Sequence, residues 1–274
     1  STASDGTFTP RELVKMAIEK GLHTLALTDH DTLAGNSEAA NAAKELAAFT
    51  FIPGIELEIT GLETCENDFR TGNTCGISPG GEFHLLGLGI DHPDEAFGDA
   101  LKMIIQKRRE RNIKLLDNIN AEFGLHADYS EIEALAGGKV IARPHFATFM
   151  INHHLVKNRE KAFEKYLGKG RPLYVARQGM AFKEAAEHIH AAGGKTFVAH
   201  PLSLYLSWNK LPPFLQMLKD LGLDGIEAWH SNAKIKDCRR LENIAKDLGL
   251  AVSQGSDFHG ANRPDRKLGL CYRE

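Results

Sequence analysis

The sequence predicts an α/β fold, either one barrel or one layered domain, which a helical insertion interrupts. Short apolar segments alternate with amphipathic helical ones near both ends of the 274-residue chain, as in parallel α/β proteins. Between about 93 and 170 the alternation stops and helical periodicity dominates. We therefore expect barrel segments at 1–92 and 173–274 and a helical insertion at 93–172.

The first barrel segment opens with a clear helix signal. Thr9-Pro10-Arg11-Glu12 supplies an N-cap, a proline at the first helical position and a reciprocal glutamate cap. That helix is predicted to end near Lys20, and an apolar strand over 23–28 follows it. Further along we expect an Ala-rich helix over 35–49 and strands over 50–59 and 82–90.

The insertion is predicted to contain one long amphipathic helix, whose apolar stripe extends from Leu101 to Phe123, and then a small helical subdomain. Alternation resumes after it. The predicted helices there cover 182–192, 214–221 and 235–248, and the predicted strands cover 196–200, 224–229 and 251–253.

Composition excludes several classes of function. The chain is 42% hydrophobic and 25% charged, with a net charge of -3, which gives no footprint for long duplex nucleic acid but allows a small anionic substrate. No apolar run could span a membrane and no signal peptide is visible, so we expect a cytoplasmic protein without a membrane partner. Cys65 and Cys75 could pair in an oxidising compartment, although free thiols suit the cytoplasm better.

Potential metal ligands stand at the ends of several predicted strands. Parallel α/β folds collect such residues at one face, and histidine with carboxylate favours Zn, Mn or Fe over a thiolate-type site. Each residue alone also fits an ordinary surface or capping role, and Glu58 competes with its neighbour for the ligand role. The combination predicts a metal site, built from His30, Glu56, His200, Asp257 and His259 at strand ends and His84 near a strand start.

The segment Gly255-Ser256-Asp257-Phe258-His259-Gly260 places a carboxylate and an imidazole two residues apart. On an extended strand end such residues point the same way, so both side chains would reach into one space. The two glycines would let the backbone turn sharply on either side. A polar turn with an unrelated histidine is the alternative.

Six segments together resemble the PHP (polymerase and histidinol phosphatase) family of metal-dependent phosphoesterases. The resemblance implies a distorted (β/α)7, TIM-like barrel with two or three divalent metal ions (Mn, Zn, Fe or Mg) at its mouth. It implies metal-ligand roles for Asp5, His30, Glu56, His84, His200, Asp257 and His259. The segments, in the family's order, are Thr2-Ala3-Ser4-Asp5-Gly6, Leu27-Thr28-Asp29-His30-Asp31, Pro53-Gly54-Ile55-Glu56, Phe83-His84-Leu85-Leu86-Gly87, Ala199-His200-Pro201 and the Gly255 to Gly260 hexapeptide.

The insertion and Arg143-Pro144-His145 look like the subgroup that acts on nucleotides. Its members remove the 3′-phosphate of nucleoside 3′,5′-bisphosphates, and relatives trim short 5′-phosphorylated RNA from the 5′ end. The resemblance implies that the insertion closes over a small nucleotide or short RNA, that Arg143 and His145 contact phosphate, and that Arg108 or Arg111 adds a contact. The alternatives are a surface ion pair for Arg143 and a solvated helix face for the basic run.

The mechanism that the resemblance implies is attack of a metal-activated hydroxide on phosphorus. Arg143 would stabilise the charge that builds on the phosphoryl oxygens, and His145 or His230 would protonate the leaving alkoxide. His230 could equally be a strand-end residue without a catalytic task.

The chain departs from the family pattern in one place. The family's first motif, His-x-His on the first strand, falls directly before the segment equivalent to Ser1. We expect a missing or truncated first strand and weaker binding of the metal that this pair holds. The rival functions are a histidinol-phosphatase-like phosphomonoesterase and a non-catalytic metal- or nucleotide-binding relative without the motif.

Overall fold

The computed structural model describes residues 1–46, 49–63, 77–136, 140–176 and 178–273. It comprises two compact units, a barrel unit (Ser1–Leu101 and Gly179–Glu274) and a helical unit (Lys102–Gln178). Cys65 and Cys75, which we expect to be free thiols rather than a disulfide, lie outside the described residues.

The barrel unit contains a mixed seven-stranded sheet with the order β1-β2-β3-β5-β6-β7, and β4 pairs with β2. The strands are β1 (Thr24–Leu27), β2 (Thr50–Gly61), β3 (His84–Leu88), β4 (Met180–Ala181), β5 (Lys195–Val198), β6 (Gly225–His230) and β7 (Ala251–Gly255).

The direction of β3 corrects the expectation of a parallel sheet. β3 runs antiparallel to both of its neighbours, β2 and β5, whereas β1–β2, β2–β4, β5–β6 and β6–β7 are parallel. Because β3 is reversed, its first residue lies at the edge of the sheet where the parallel strands end. His84 opens β3, so this reversal brings it to the edge at which His30 and His200 follow their strands.

The helices follow the predicted order. They are α1 (Pro10–Glu19), α2 (Asn36–Leu46), α3 (Glu95–Phe123), α4 (Tyr129–Ala136), α5 (Arg143–Asn152), α6 (Arg159–Ala162, continued by a π-helical turn, Phe163–Leu167), α7 (Phe182–Ala191), α8 (Leu211–Asp220) and α9 (Ile235–Leu248).

Helix starts depend on local chemistry that the sequence displays. The predicted capping box of α1 is present: the Thr9 hydroxyl accepts from the Glu12 amide at 3.2 Å, and the Glu12 carboxylate accepts from the Thr9 amide at 2.8 Å. The predicted start of α8 at 214 was three residues too late. Pro212 and Pro213 fall in its first turn, where a missing N–H costs no intrahelical hydrogen bond.

Each unit has its own apolar core. In the barrel unit α1 and α2 bury Leu13, Val14 and Ala42 against Leu27 of β1. In the helical unit the stripe of α3 that includes Ile119 packs with apolar residues of α4 and α5, among them Ile132, Phe146 and Phe149. No strand occurs among the described residues of the helical unit, as the loss of alternation predicted. The division between the units falls within α3, at Leu101 and Lys102, rather than at 93.

Within the described ranges, no helix has both the length and the apolar character that crossing a membrane requires.

Candidate metal centre

The edge of β2 places His30 beside Glu56. The two residues form an isolated parallel bridge just beyond the end of β1. The amide of Asp31 donates to the Glu56 carbonyl at 2.9 Å, and the amide of Glu56 donates to the Asp29 carbonyl at 3.1 Å. The backbone therefore fixes His30 and Glu56 as neighbours before any side-chain contact is made.

Glu56 is the centre of a histidine cluster. Its Oε1 lies 2.8 Å from His84 Nδ1 and 3.0 Å from His200 Nε2, and its Oε2 lies 3.7 Å from His30 Nδ1. The two histidines that approach Oε1 are themselves 3.3 Å apart, between His84 Nδ1 and His200 Nε2. The Glu56 residue is only 5% exposed, so this carboxylate is almost entirely removed from solvent and its contacts are with protein nitrogen atoms.

Two groups of side chains could each hold a metal ion. His30, Glu56 and His84 form one group, and Asp5, His30 and His259 form the other, with the ligand atoms of each group within 4.8 Å of one another. The second group is joined by His259 Nε2 at 3.4 Å from Asp5 Oδ1. His30 belongs to both groups. Imidazole and carboxylate in this number and proximity are the donor set of a divalent metal site.

The hexapeptide brings Asp257 and His259 together, but not as an extended strand end. β7 ends at Gly255, and Asp257 is in the left-handed region with φ +48°. The two side chains meet because the backbone turns: His259 Nδ1 lies 2.7 Å from the Asp257 carbonyl and 3.3 Å from its Oδ1. The expected i, i+2 geometry was therefore wrong, although the juxtaposition it predicted is present.

The two glycines of the hexapeptide have different roles. Gly260 takes φ +65°, which agrees with the predicted sharp turn. Gly255 does not have a positive φ; it lies against Glu227, and a Cβ there would overlap the Oε1 atom of that carboxylate. The glycine at 255 thus leaves room for a buried acid on the neighbouring strand.

Backbone strain is concentrated at the site. His200 has φ +31° and Asp257 has φ +48°, conformations that cost on the order of 1 kcal/mol or more for each non-glycine residue. His200 is held there on both sides. Its amide donates to Glu227 Oε2 at 2.7 Å, and its Nδ1 lies 2.5 Å from the Ser203 hydroxyl.

Burial and mutual charge set the protonation states of the cluster. Burial raises the pKa of Glu56, but the charges of His30 and His84 outweigh it and leave the pKa below its usual value. Burial lowers the pKa of His30, and the charge of Glu56 only partly offsets it. Burial acts to lower the pKa of His84, but the charge of Glu56 and its hydrogen bond outweigh that effect and raise the pKa. These directions favour an anionic Glu56 and a neutral His30, the forms that bind a cation, and a protonated His84, which would have to release its proton to bind one.

Asp5 is also held in its anionic form. Burial acts to raise its pKa, but the hydrogen bond with His259 and the charge of His30 overcome that effect and hold the pKa below its usual range. All seven predicted ligands lie in the barrel unit. Contacts of 3.7 Å or less join His30, His84 and His200 to Glu56. Contacts of 3.4 Å or less join His259 to Asp5 and to Asp257.

Glu227 and Arg266 were missed by the sequence reasoning. Glu227 is buried on β6 and holds the backbone of His200; its signal is an acid between the apolar residues Ile226 and Ala228. Arg266 follows the last motif, in a segment with no strand or helix pattern. Its Nη1 atom contacts Asp257 Oδ2 closely and lies 3.3 Å from His230 Nε2.

His230 lies beside the cluster in an unexpected protonation state. Burial, the charge of His200 and the guanidinium of Arg266 lower its pKa to about 4 against the opposing charge of Glu227. At neutral pH the ring is uncharged, and its Nε2 faces a donor. The role of His230 as proton donor to a leaving group stays a prediction.

The four other predicted substrate-binding or catalytic residues belong to the helical unit. Arg143 opens α5, donates to the Leu167 carbonyl at 3.4 Å and lies over the Tyr174 ring at 5.4 Å. The ring of His145 caps the same helix, with Nδ1 accepting from the Ala142 amide at 3.0 Å. Their predicted contacts with substrate remain predictions, as do those of Arg108 and Arg111 on α3.

Comparison with known families supports the arrangement. The model of the PHP domain matches residues 1–167. The chain is 35% identical over 259 residues to a 5′-3′ exoribonuclease from Haemophilus influenzae, covering 94% of this chain and 87% of that protein. It is 30% identical over 270 residues to a 3′,5′-nucleoside bisphosphate phosphatase from Chromobacterium violaceum, covering 98% and 88%.

Solved structures show the same fold. An amidohydrolase from Chromobacterium violaceum, solved with bound sulfate and no metal, superimposes with a TM-score of 0.78 at 29% identity over 96% of this chain and 86% of that one. A protein from Bifidobacterium adolescentis, named for an inferred metal-dependent phosphoesterase activity, gives a TM-score of 0.76 at 26% identity over 98% and 88%. The prediction of a distorted TIM-like barrel is confirmed.

Proposed function

The chain belongs to the PHP domain family, and on that premise we propose that it hydrolyses the phosphate ester on the 3′ side of a nucleotide. It is a phosphoric ester hydrolase of the family's phosphatase and exoribonuclease kind. The proposal covers the 3′-phosphate of nucleoside 3′,5′-bisphosphates and the first linkage of short 5′-phosphorylated RNA. Both substrates carry a phosphate ester at a 3′ oxygen, so one reaction accounts for both relatives.

The observation that carries the proposal is the convergence on Glu56. One buried carboxylate with three histidines around it offers the nitrogen and oxygen donors of a divalent cation site, and a bound cation would compensate the charge of the carboxylate. The donor chemistry fits Mn, Zn, Fe or Mg, and we propose that two or three such ions bind here.

The residues that would hold the ions are Asp5, His30, Glu56, His84, His200, Asp257 and His259. Divalent ions at such a site activate water and stabilise negative charge on phosphoryl oxygens. The protein's part is to fix the donors. The left-handed backbone of His200, held by Glu227 and Ser203, aims its Nε2 at Glu56, and buried strands exclude bulk water from the carboxylate.

The charge of the helical unit favours binding of an anionic substrate. Between 102 and 178 the sequence contains fifteen Lys and Arg residues against eight Asp and Glu residues. A surface pocket in this unit is lined by His154, Tyr166 and three lysines, Lys157, Lys161 and Lys165. Lysines beside an aromatic ring fit the phosphates and bases of a single strand. We therefore propose that this unit contributes to binding of oligoribonucleotide, in addition to the proposed phosphate contacts of Arg143 and His145.

A substrate panel tests the proposed function. Purified protein is stripped of metal by chelation, reloaded with Mn, Mg or Zn, and incubated with adenosine 3′,5′-bisphosphate, with a short 5′-phosphorylated RNA and with histidinol phosphate. We expect metal-dependent phosphate release from the bisphosphate and release of nucleoside monophosphate from the RNA. Preference for histidinol phosphate would support the rival phosphatase, and binding without hydrolysis would support the non-catalytic relative. A cytoplasmic location stays a prediction.

A further inference from the structure

The cavity at the metal centre has a cationic part as well as a ligand cluster. It measures about 340 Å³ and lies within the barrel unit. His30, Glu56, His84 and His200 contribute to its lining, and so do Arg263 and Arg266, which follow the last of the family-like segments. A metal-ligand set does not require an arginine, so the two guanidinium groups add positive charge to the cavity for another reason.

Arg266 is buried to an unusual degree for an arginine. It is only 7% exposed. Its Nη1 atom contacts Asp257 Oδ2 and lies 3.3 Å from His230 Nε2, while Nε, which is also buried, has no hydrogen-bond partner among the described residues. Guanidinium offers five N–H donors in a planar fork, and here the two acceptors at Nη1 leave the buried Nε donor unsatisfied.

A purely structural ion pair with Asp257 accounts poorly for this geometry. Burying a guanidinium is costly unless its donors are satisfied, and replacing such a pair by apolar residues is often neutral or stabilising. Asp257 is also a proposed metal ligand, and a carboxylate oxygen that binds a cation has fewer lone pairs left for Arg266. The unsatisfied Nε donor therefore favours a further acceptor in the cavity.

A phosphoryl group matches that requirement. It is anionic, it presents several acceptor oxygens, and arginine binds it through two parallel N–H···O bonds. Arg263 adds a second positive charge nearby: its Nη1 lies 3.7 Å from Asp257 Oδ2, and its side chain is 43% exposed. The more exposed arginine can meet an incoming anion, and the buried one can hold it.

We propose that Arg266 is a substrate-binding residue of this cavity, where its guanidinium takes a phosphoryl group of the nucleotide, with Arg263 as a weaker outer contact. This inference rests on the proposed function for the identity of the anion. It differs from the contacts that the family resemblance implies, which involve Arg143 and His145 of the helical unit.

Inorganic phosphate is the probe that separates substrate binding from a positioning role. Its affinity for metal-free protein is measured by calorimetry for the wild type, Arg266→Gln, Arg266→Lys and Arg263→Gln. Arg239→Gln is the matched control, because Arg239 is exposed on α9 and does not line the cavity. Metal content after reloading is measured on the same samples, and circular dichroism checks their folding.

We expect Arg266→Gln to weaken phosphate binding at least tenfold. Arg266→Lys should weaken it less, since the lysine keeps the charge but lacks the planar fork of donors. Arg263→Gln should weaken it about twofold to threefold. Arg239→Gln should bind as the wild type does. If Arg266→Gln does not fold, the graded pair of Arg266→Lys and Arg263→Gln still decides the result, because each keeps part of the proposed contact.

Two results would overturn the proposal. One is that metal-free wild type binds no phosphate or that the Arg266 variants bind it as the wild type does. The other is a loss of metal content in these variants with phosphate affinity unchanged, which would make Arg266 a positioning residue for Asp257. Failure of the proposed function gives a different pattern: phosphate binding would depend on Arg266, but metal-loaded wild type would release no phosphate from nucleotides.

Discussion

The barrel unit and the helical unit carry charge of opposite sign. The helical unit has fifteen basic and eight acidic residues, and the remainder of the chain has eighteen basic and twenty-eight acidic ones. The acidic unit also contains the buried carboxylate and histidine cluster around Glu56. We therefore propose that metal binding and attraction for a polyanion belong to separate parts of one chain.

This division shows why a whole-chain charge misleads. A net charge of -3 gives no electrostatic footprint for long duplex nucleic acid, and it conceals a basic unit of fewer than eighty residues. Binding of anions depends on local potential, which falls off within about 10 Å at ordinary ionic strength. Charge is therefore better counted for each structural unit than for the whole chain.

The largest effect is expected from Glu56→Gln, which tests whether the barrel unit alone supplies the chemistry. The amide keeps the shape but removes the charge that all three neighbouring histidines face. We expect metal content to fall and kcat/KM to drop by at least about 10³-fold, since metal ions supply several kcal/mol of transition-state stabilisation. Elemental analysis and phosphate release measure the two effects. Glu187→Gln, at an exposed position of α7, is the control, and equal losses in both variants would refute the role of Glu56.

A smaller effect should follow Glu227→Gln, which leaves every proposed ligand in place. The buried carboxylate accepts from the strained His200 backbone at 2.7 Å, and the amide is a weaker acceptor. Outer partners of metal ligands typically change affinity by about 10- to 100-fold, and we expect a loss in that range by metal titration. An unchanged metal affinity would show that Ser203 and the neighbouring strands suffice to hold His200.

The helical unit is tested by removing the three pocket lysines, Lys157, Lys161 and Lys165, together as alanines. We expect KM for short RNA to rise by about threefold to tenfold and the slope of log KM against log salt to fall by about 2, since each phosphate contact contributes about 0.7 for single strands. KM for adenosine 3′,5′-bisphosphate should stay the same.

Alanine at three exposed lysines of the barrel unit, Lys20, Lys236 and Lys246, is the matched control for the pocket lysines. If both triple variants lose RNA affinity equally, only total charge matters and the proposed division between the units fails.

The smallest effect concerns an acidic residue of the barrel unit outside the metal centre. Burial acts to raise the pKa of Asp224, but the Thr196 amide and His190 outweigh it and lower the pKa to about 2. A lowered pKa gives stability that is present above the ordinary value of 3.8 and is lost as pH falls towards 2. With solvent screening this amounts to about 1 kcal/mol.

Urea unfolding of Asp224→Asn and the wild type at pH 7 and pH 3 measures that contribution. The difference in unfolding free energy should be larger at pH 7 than at pH 3. A difference that grows as pH falls would contradict the assignment.

Much of the fold was predictable because its signals are local. The capping box of α1, the long helix α3 and the end of alternation at the insertion are all written in short windows of sequence. The direction of β3 was not predictable from sequence, because strand pairing depends on partners that are distant in the chain. That reversal explains how His84, at a strand start, joins residues that follow strand ends.

The site was predictable where residue type alone indicates chemistry. Histidines and acids at the ends of apolar strands pointed to six of the proposed ligands, and the family resemblance added Asp5. Arg266 lies in an irregular segment, and its proposed role depends on burial and on contacts with Asp257 and His230. The pKa of His230 also depends on tertiary structure, since burial and neighbouring positive charge lower it to about 4. Neither property can be read from sequence spacing.

The central claim is that the barrel unit is a metal-dependent hydrolase of 3′ phosphate esters. Its most direct measurement is phosphate release from adenosine 3′,5′-bisphosphate by protein stripped of metal and then titrated with Mn, with Glu56→Gln assayed in parallel. We predict no release without metal, release that saturates as the metal sites fill, and at least about 10³-fold less from the variant. Release that is equal with and without metal, or equal in the two proteins, would contradict the claim.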